Sequence, residues 1–407
     1  MIKMNAQENV AKQKYLGKTG LVLFITLMNM FIPLSTDLYL PALPSMSEIL
    51  GAPTALTNLT LVAFFFFYAV GTLFWGPMSD KYGRKKILIA GSTLYAVASM
   101  VCAMAPDVYV LIGARVFQGI GAGAITAVSM ALIKDCYSGK TRESILAIVQ
   151  TVAGLAPMLA PVVGAFLLNF TDWRGSFWLL TIAGVACLAL SVLYQETLPF
   201  DEKYEGTVFG AVGRLFTVGK NPSFIVPCLL FSLYNLAFMG YISMSSYIYV
   251  DKFGLSEQVY SYFFAANAAL SMVGPMMYVK FLSNVNKKTF AAVCFAIYAV
   301  CGAAIVLVGG LSPVFFWLGF APFSLLGTIT RPFSTNIMLE QQSGDTGSAS
   351  SLINGVATVL GSIGMVTASL FHNIVFGLGF IIFLSGVCSL LGWIVLMKSS
   401  LPLKGVK

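Results

Sequence analysis

The sequence predicts an all-α integral membrane protein with twelve transmembrane helices. The chain has 407 residues, of which 58% are hydrophobic and only 10% are charged, and its mean hydropathy is +0.85. A soluble domain with this composition would aggregate. The charged residues fall in clusters that divide the chain into about twelve apolar stretches, each long enough to span a bilayer as a helix. The predicted spans begin near Gly20, Ala55, Ile87, Asp107, Glu143, Ser176, Pro222, Gln258, Thr289, Pro313, Thr346 and Ile374.

The basic residues indicate the orientation of these helices. Most of the 24 Lys and Arg residues lie in alternate connections, on one side of the predicted membrane. The positive-inside rule therefore places both termini in the cytoplasm, and the net charge of +8 reflects topology rather than nucleic-acid binding. We expect a cytoplasmic N-terminal segment (1–18), a first six-helix half (19–195), a cytoplasmic linker (196–221), a second six-helix half (222–398) and a cytoplasmic tail (399–407).

Several enzyme classes are excluded by the residue types that the chain lacks. It has seven cysteines but no CxxC pair, and its single histidine is His372, between the last two predicted spans. Ser-His-Asp, Cys-His and HExxH chemistry therefore have no basis in this sequence. We expect no enzymatic activity, no metal site and no cofactor.

The first predicted span carries one carboxylate, Asp37, near its outer end. A charged group facing lipid costs several kcal/mol, so such a residue usually faces a protein interior or a hydrated cavity and is a functional candidate. Asn29 and Pro33 lie on the same helical face. The alternative is that the span ends before Asp37, which would then lie among lipid headgroups.

A short basic segment follows the second span: Gly76, Pro77, Met78 and Ser79 precede Asp80, and Gly83, Arg84 and two lysines complete it. We expect a sharply turning connection, because glycines permit tight turns. In one interpretation its charges serve the function; in the other they only set topology. A partial repeat, Gly274-Pro275-Met276, follows the eighth span.

The fourth span contains Arg115, followed by Gln118 and by glycines at 119, 121 and 123. Arg115 lies about 12 Å from the outer end of the span at 1.5 Å per residue, a depth compatible with Asp37. The glycines have no preceding strand, so close helix packing explains them better than nucleotide binding.

The basic segment resembles the signature loop of the major facilitator superfamily, matched at Gly76, Asp80, Gly83, Arg84 and Lys85. The resemblance implies two pseudo-symmetric six-helix halves, as the partial repeat also suggests. It further implies that Asp80 and Arg84 hold a cytoplasmic gate shut, with Gly76 and Gly83 shaping the loop.

The fourth span resembles a second superfamily signature, Arg-x-x-Gln-Gly, in which the arginine is linked to proton transfer. The resemblance implies that Arg115 tunes proton uptake and release by Asp37. Burial and a nearby cation act in opposite directions on a carboxylate, so small changes in separation can switch it. A permanent structural ion pair between the two is the alternative.

The fifth span is similar to the signature of superfamily antiporters, with conformational residues at Pro157, Pro161 and Gly164, although Ala156 replaces the usual glycine before the first proline. The run from Asp37 to Pro44 and the run Gly347 to Leu352 resemble the bicyclomycin-resistance and chloramphenicol-efflux branch of drug:proton antiporters. Relatives often have Ser-Pro where this chain has Ser245-Ser246, and some carry an extra acid where it has Asn29, which leaves the substrate open.

Aromatic side chains recur at helical spacing in the seventh and eighth spans. Such faces suit amphipathic organic molecules, although ordinary core packing is the alternative for each residue. The expected substrate-binding residues are Asn29, Pro33, Tyr68, Gln118, Tyr234, Phe238, Tyr241, Phe264 and Asn267.

These observations predict a proton-coupled exporter of small amphipathic molecules such as chloramphenicol-like antibiotics, working by alternating access. Its expected partners are its substrate, protons and the lipid bilayer, with no nucleic acid, and we expect a monomer in the bacterial cytoplasmic membrane. The alternatives are an exporter of a metabolite such as an amino acid or sugar, and a membrane receptor that kept the fold and lost transport.

Overall fold

A computed structural model describes residues 13–137, 139–198, 213, 217–282, 284–342 and 346–406. In these ranges the chain is mostly α-helical and contains no β-strand. It divides into two compact units, Met1–Val212 and Gly213–Lys407.

The first unit contains seven α-helices over its described residues. A short 3₁₀ turn, Leu40–Ala42, joins the first two of them, which together form one candidate membrane span, Gly17–Ile49. The helices are α1 (Gly17–Asp37), α2 (Leu43–Ile49), α3 (Thr54–Tyr82), α4 (Arg84–Ala103), α5 (Val108–Cys136), α6 (Gly139–Leu167) and α7 (Arg174–Leu193).

The second unit contains six helices over its described residues. They are α8 (Pro222–Ser246), α9 (Glu257–Met277), α10 (Lys287–Ala304), α11 (Pro313–Glu340), α12 (Thr346–Ser369) and α13 (Ile374–Lys398). Three of these helices continue into short π-helical segments at their C-terminal ends, which are Tyr247–Lys252, Tyr278–Leu282 and Ile305–Gly309.

Eleven helices among the described residues are long and apolar enough to cross a membrane. In α6 the described stretch Thr151–Leu167 is a shorter apolar helix. The predicted all-α membrane fold is therefore confirmed. Its spans follow from hydropathy because a backbone in lipid must satisfy its polar groups within each helix.

The predicted turning connection after the second span is wrong in its extent. Helix α3 runs through Pro77 to Tyr82, and α4 begins at Arg84. Only Gly83 turns the chain, with φ of +100°, a value that a residue with a Cβ rarely adopts. The segment is helical because transmembrane helices tolerate an internal proline, whose freed carbonyl finds other partners.

Candidate functional site

Asp37 is the last residue of α1, and it is only 5% exposed. The Thr36 hydroxyl donates a hydrogen bond to Asp37 Oδ1 at 2.9 Å. The next two residues, Leu38 and Tyr39, are also buried, and the chain continues through the 3₁₀ turn into α2. The carboxylate is therefore enclosed by protein rather than exposed at the end of a span.

Arg115 lies in α5 and is fully buried. Its Nε donates to the carbonyl oxygen of Thr60 at 3.1 Å, and its Nη1 donates to that of Ser35 at 3.0 Å. Nη1 also donates to Gln118 Oε1, and Nη2 donates to the Tyr39 hydroxyl at 3.3 Å. Four hydrogen bonds thus use most of the five donors of this guanidinium.

Two aromatic rings cover the faces of the same guanidinium. Arg115 Cζ lies 4.2 Å from the ring centroid of Phe64 and 4.9 Å from that of Tyr39. Arginine stacks well on aromatic faces, and the attraction is stronger where water is excluded. This enclosure holds a cation inside an apolar bundle.

Asp37 and Arg115 do not form an ion pair. The salt bridges among the described residues involve only Arg84 and Arg174 as cations. Arg115 instead contacts the chain on both sides of Asp37, through the Ser35 carbonyl and the Tyr39 hydroxyl. The permanent ion pair considered from the sequence is not the arrangement in this structure.

A buried polar network surrounds this arrangement and was not identified from the sequence. Gln118 Nε2 donates to Ser99 Oγ at 2.7 Å, and the hydroxyls of Ser35 and Tyr95 lie 2.6 Å apart. Gln118, expected to bind substrate, is fully buried and holds Arg115 and α4 together. These hydrogen bonds join α1, α4 and α5. The sequence signal for them was the presence of hydroxyl side chains within the predicted spans.

The glycines of α5 allow neighbouring backbones to approach closely. A Cβ on Gly119 would overlap the carbonyl of Phe64 in α3, and one on Gly121 would lie 2.7 Å from the amide nitrogen of Tyr95 in α4. These contacts confirm that helix packing explains the glycines.

The predicted conformational residues Pro157, Pro161 and Gly164 all lie within α6, which continues through both prolines. A Cβ on Gly164 would overlap the carbonyl oxygen of Leu38. The antiporter-like segment therefore packs directly against the residue that follows Asp37.

The loop residues Asp80, Gly83 and Arg84 come together at the junction of α3 and α4. Arg84 Nη1 pairs with Asp80, and its Nε donates to Asp135 Oδ2 at 2.9 Å. The Asp135 side chain is 14% exposed, whereas that of Asp80 is 53% exposed. Sequence reasoning missed Asp135 because it resembles an ordinary acidic residue at the end of a span. Gly76 lies two turns earlier in α3, and a Cβ added there would have no neighbouring atom within 4 Å.

Glu196 is a second residue at this junction that sequence reasoning missed. Its carboxylate accepts hydrogen bonds from the backbone N–H of Arg84 at 3.1 Å and of Lys85 at 3.0 Å. It thereby caps the N-terminus of α4, where free N–H groups and the helix dipole favour an anion. A Cβ on Gly83 would lie 2.6 Å from Glu196 Oε2.

In the second unit the predicted aromatic residues belong to one continuous stack, which Phe320 completes between Phe238 and Tyr241. The Tyr234 and Phe238 rings stack with centroids 5.3 Å apart, and both residues are half-buried. Tyr241 is buried and stacks on Phe320 at 3.7 Å, with Phe264 also buried beside it. Tyr234 and Phe238 are thus the more accessible of these rings.

The remaining candidate residues have varied surroundings. Asn267 is buried and donates to Ser324 Oγ at 3.1 Å. Asn29 is half-buried and donates to the Ser129 hydroxyl. Pro33 and Tyr68 are half-buried.

Several curated proteins are similar to this chain over much of its length. The chain is 28% identical over 392 residues to the MFS-type transporter YdgK of Bacillus subtilis, covering 94% of this chain and 97% of that protein. It is 25% identical over 361 residues to a bicyclomycin resistance protein homolog of Haemophilus influenzae, covering 86% and 89%. A chloramphenicol resistance protein of Pseudomonas aeruginosa is 29% identical over 260 residues, which cover 62% and 59%.

Solved structures show the same fold at low sequence identity. The D-xylose-proton symporter superposes with a TM-score of 0.75 at 15% identity and covers 95% of this chain and 98% of that one. The peptide transporter POT superposes with a TM-score of 0.76 at 15% identity and covers 97% and 98%.

The family model described as Major Facilitator Superfamily matches residues 23–366. That match takes in most of both units, including Asp37, the α3–α4 junction and Arg115. The chain therefore belongs to the major facilitator superfamily.

Proposed function

We propose that this protein exports small amphipathic compounds, chloramphenicol-like antibiotics among them, in exchange for protons. The observation that carries the proposal is the buried carboxylate of Asp37 at the end of α1, which has no ion-pair partner among the described residues and lies beside an arginine that holds the flanking backbone. The names of the bicyclomycin- and chloramphenicol-resistance relatives support a drug as cargo.

Asp37 is the proposed proton carrier. The protonation of a carboxylate depends on its hydration and on nearby charges and hydrogen bonds. Asp37 has one side-chain donor, Thr36, and no cation within salt-bridge distance among the described residues. A movement of α1 that admits water or brings Arg115 closer changes its proton affinity.

Arg115 is the proposed positioning residue for this switch. It holds the Ser35 carbonyl and the Tyr39 hydroxyl, so these contacts set the position of the Asp37 peptide against α5 and must change when α1 shifts relative to α5. Proton uptake from outside favours the inward-facing state, which loads the drug. Coupling then requires only that proton and drug prefer different states.

The α3–α4 junction is the proposed cytoplasmic gate element. Arg84 is held by Asp80 and Asp135, and Gly83 allows the sharp turn. The charge distribution supports a cytoplasmic position for this junction and for both termini. We further propose a monomer in the bacterial cytoplasmic membrane, with the proton as the only coupling ion.

The accessible pair Tyr234 and Phe238 is the proposed aromatic contact for the drug. Stacked rings present an apolar face with a polar hydroxyl at its edge. Asn29, Pro33 and Tyr68, which are also half-buried, are proposed contacts from the first unit.

The test is drug uptake into proteoliposomes under an imposed pH gradient, with chloramphenicol as the probe. Wild type should accumulate the drug uphill, and Asp37→Asn should bind it without gradient-driven accumulation. Asp172→Asn is the matched control, because Asp172 is exposed. Its carboxylate accepts hydrogen bonds from the backbone N–H and the guanidinium of the neighbouring Arg174. Uphill transport by Asp37→Asn would disprove the coupling role. Folded wild type that binds the probe but moves nothing would favour the receptor alternative, and transport of amino acids or sugars alone would favour metabolite export.

A further inference from the structure

Asn29 in α1 has a side-chain amide whose orientation the structure fixes. Its Nδ2 donates to the carbonyl oxygen of Ile25 at 2.8 Å and also to the hydroxyl of Ser129 in α5. A carbonyl oxygen can only accept a hydrogen bond, so the amide atom that faces Ile25 must be the nitrogen. The two contacts use both Nδ2 hydrogens, and the amide oxygen, Oδ1, takes part in neither.

The Oδ1 atom of Asn29 is an accessible acceptor. It accepts no hydrogen bond from the described residues, and it is not among the side-chain atoms that are buried without a partner. Asn29 as a whole is half-buried, whereas Ser129 is fully buried. The nitrogen of the amide is thus anchored within the first unit, and the oxygen remains open to a ligand.

A second acceptor belongs to the same residue. Helix α1 continues through Pro33, and in a regular α-helix the N–H of residue 33 would donate to the carbonyl oxygen of residue 29. Proline has no N–H, so the backbone carbonyl of Asn29 lacks its usual helical donor. Both residues share a helical face with Asp37, and a polar face within a span usually faces a protein interior or a hydrated pathway.

The two acceptors favour a neutral ligand that carries donors. Neither acceptor is charged, and the only carboxylate of α1, Asp37, is eight residues away, about 12 Å along the helix. In α5, Asp135 is already paired with Arg84. A cation at Asn29 would therefore lack a close counter-charge, which is costly away from water. A hydroxyl group can donate to either acceptor without that cost.

We propose that Asn29, oriented by Ser129, selects neutral cargo that carries hydroxyl donors over analogues without them. The inference rests on the proposed export function, because it defines a substrate class for the same transporter. Asn29 is the specificity-determining residue, and Ser129 is its positioning residue. Water can also donate to such acceptors and is the alternative occupant.

The experiment compares thiamphenicol with florfenicol, in which a fluorine replaces one hydroxyl group of thiamphenicol. The affinity for each drug is measured by equilibrium dialysis against the full-length protein in phosphatidylcholine nanodiscs, with empty nanodiscs as the blank. Asn29→Leu removes the side-chain acceptor, and Ser129→Ala removes its anchor. Ser92→Ala is the matched control, because Ser92 is also a fully buried serine and its hydroxyl lies 3.3 Å from that of Ser191, between α4 and α7.

Wild type should bind thiamphenicol roughly fivefold more tightly than florfenicol, as expected for one neutral hydrogen bond. Asn29→Leu should bind the two drugs equally, with unchanged affinity for florfenicol. Ser129→Ala should lose part of the preference, because the amide of Asn29 can then rotate. Ser92→Ala should retain all of it. A role of Ser129 in stability alone would change melting temperatures but not this ratio of affinities.

The proposal is overturned if folded wild type binds the two drugs equally, which would mean that water satisfies the acceptors, or if it binds neither. It is also overturned if the preference survives in Asn29→Leu, or if Ser92→Ala loses as much of it as Ser129→Ala. Because binding needs no proton gradient, a missing preference leaves chloramphenicol–proton exchange intact, and failure of exchange leaves the preference intact.

Discussion

The guanidinium of Arg115 donates to the carbonyl oxygen of Ser35 at 3.0 Å, two residues before Asp37, and not to the carboxylate of Asp37. The arginine of the fourth span therefore acts first on the backbone that carries the acid. Any effect on the acid itself requires a change in the position of α1 relative to α5.

Arg115→Lys should abolish coupled transport although it keeps the charge. A lysine has no planar fork and cannot reach the Thr60 and Ser35 carbonyls, Gln118 and Tyr39 together, so buried acceptors lose their donors at a cost of roughly 2–5 kcal/mol. The measurements are the melting temperature in detergent and pH-driven uptake. Arg174→Lys, at a partly exposed site paired with Asp172, is the control. Normal uptake by Arg115→Lys would mean that charge alone matters.

Gly164→Ala should destabilise the protein and impair uptake, because the added methyl group would overlap the Leu38 carbonyl and displace the peptide next to Asp37. Overpacking of this kind costs about 1–3 kcal/mol. Gly113→Ala in α5 is the matched control, since nothing lies near its added Cβ and alanine favours a helix. Equal melting temperatures for the two variants would contradict the close contact between α6 and α1.

Gly83→Ala and Glu196→Ala should show non-additive effects on stability. Gly83→Ala alone places a Cβ at a backbone φ of +100°, which is unfavourable for alanine, and makes that Cβ overlap the Glu196 carboxylate. Glu196→Ala alone removes the cap of α4, at a cost of about 0.5–2 kcal/mol. The double variant should be more stable than the sum of the single effects, because the overlap is gone. Strict additivity in thermal unfolding would indicate that backbone strain at Gly83 is the whole effect.

Asp135→Asn should destabilise the α3–α4 junction more than Asp80→Asn. Both carboxylates pair with the buried Arg84, but Asp135 is the less exposed, and loss of a buried partner costs about 3–5 kcal/mol against about 0–1 kcal/mol at an exposed site. Thermal unfolding compares the two directly. In transport assays, Asp80→Asn should still change the rate if the gating proposal is correct, even where its melting temperature is unchanged.

The spans were predictable, since hydropathy locates helices. Asp37 and Arg115 were predictable as candidates, because an ionisable group within a span is conspicuous. Membership of a transporter superfamily also confirms that the chain is not an enzyme. The partners of Arg115 were not predictable, because carbonyl groups such as that of Thr60 occur at every residue and carry no side-chain signal. Glu196 was assigned to a linker because its hydrogen-bond donors, two backbone N–H groups of α4, are distant in sequence.

The position of Pro77 gave a wrong boundary for a related reason. A proline next to a glycine and several charges is typical of a turn, yet α3 passes through it to Tyr82. The proposed roles of Asp37, Arg115 and the aromatic pair remain predictions that the assays above address.

The π-helical segments that extend α8, α9 and α10 have an evolutionary consequence. A π turn accommodates one more residue than an α turn, so each such segment marks a place where a helix can gain a residue without losing its ends. Two of them, Tyr278–Leu282 and Ile305–Gly309, lie between the repeated Gly-Pro-Met motif and α11. An ungapped alignment of the two halves would therefore drift out of phase over this stretch, and searches for ancestral duplication in such chains should allow single-residue gaps inside helices.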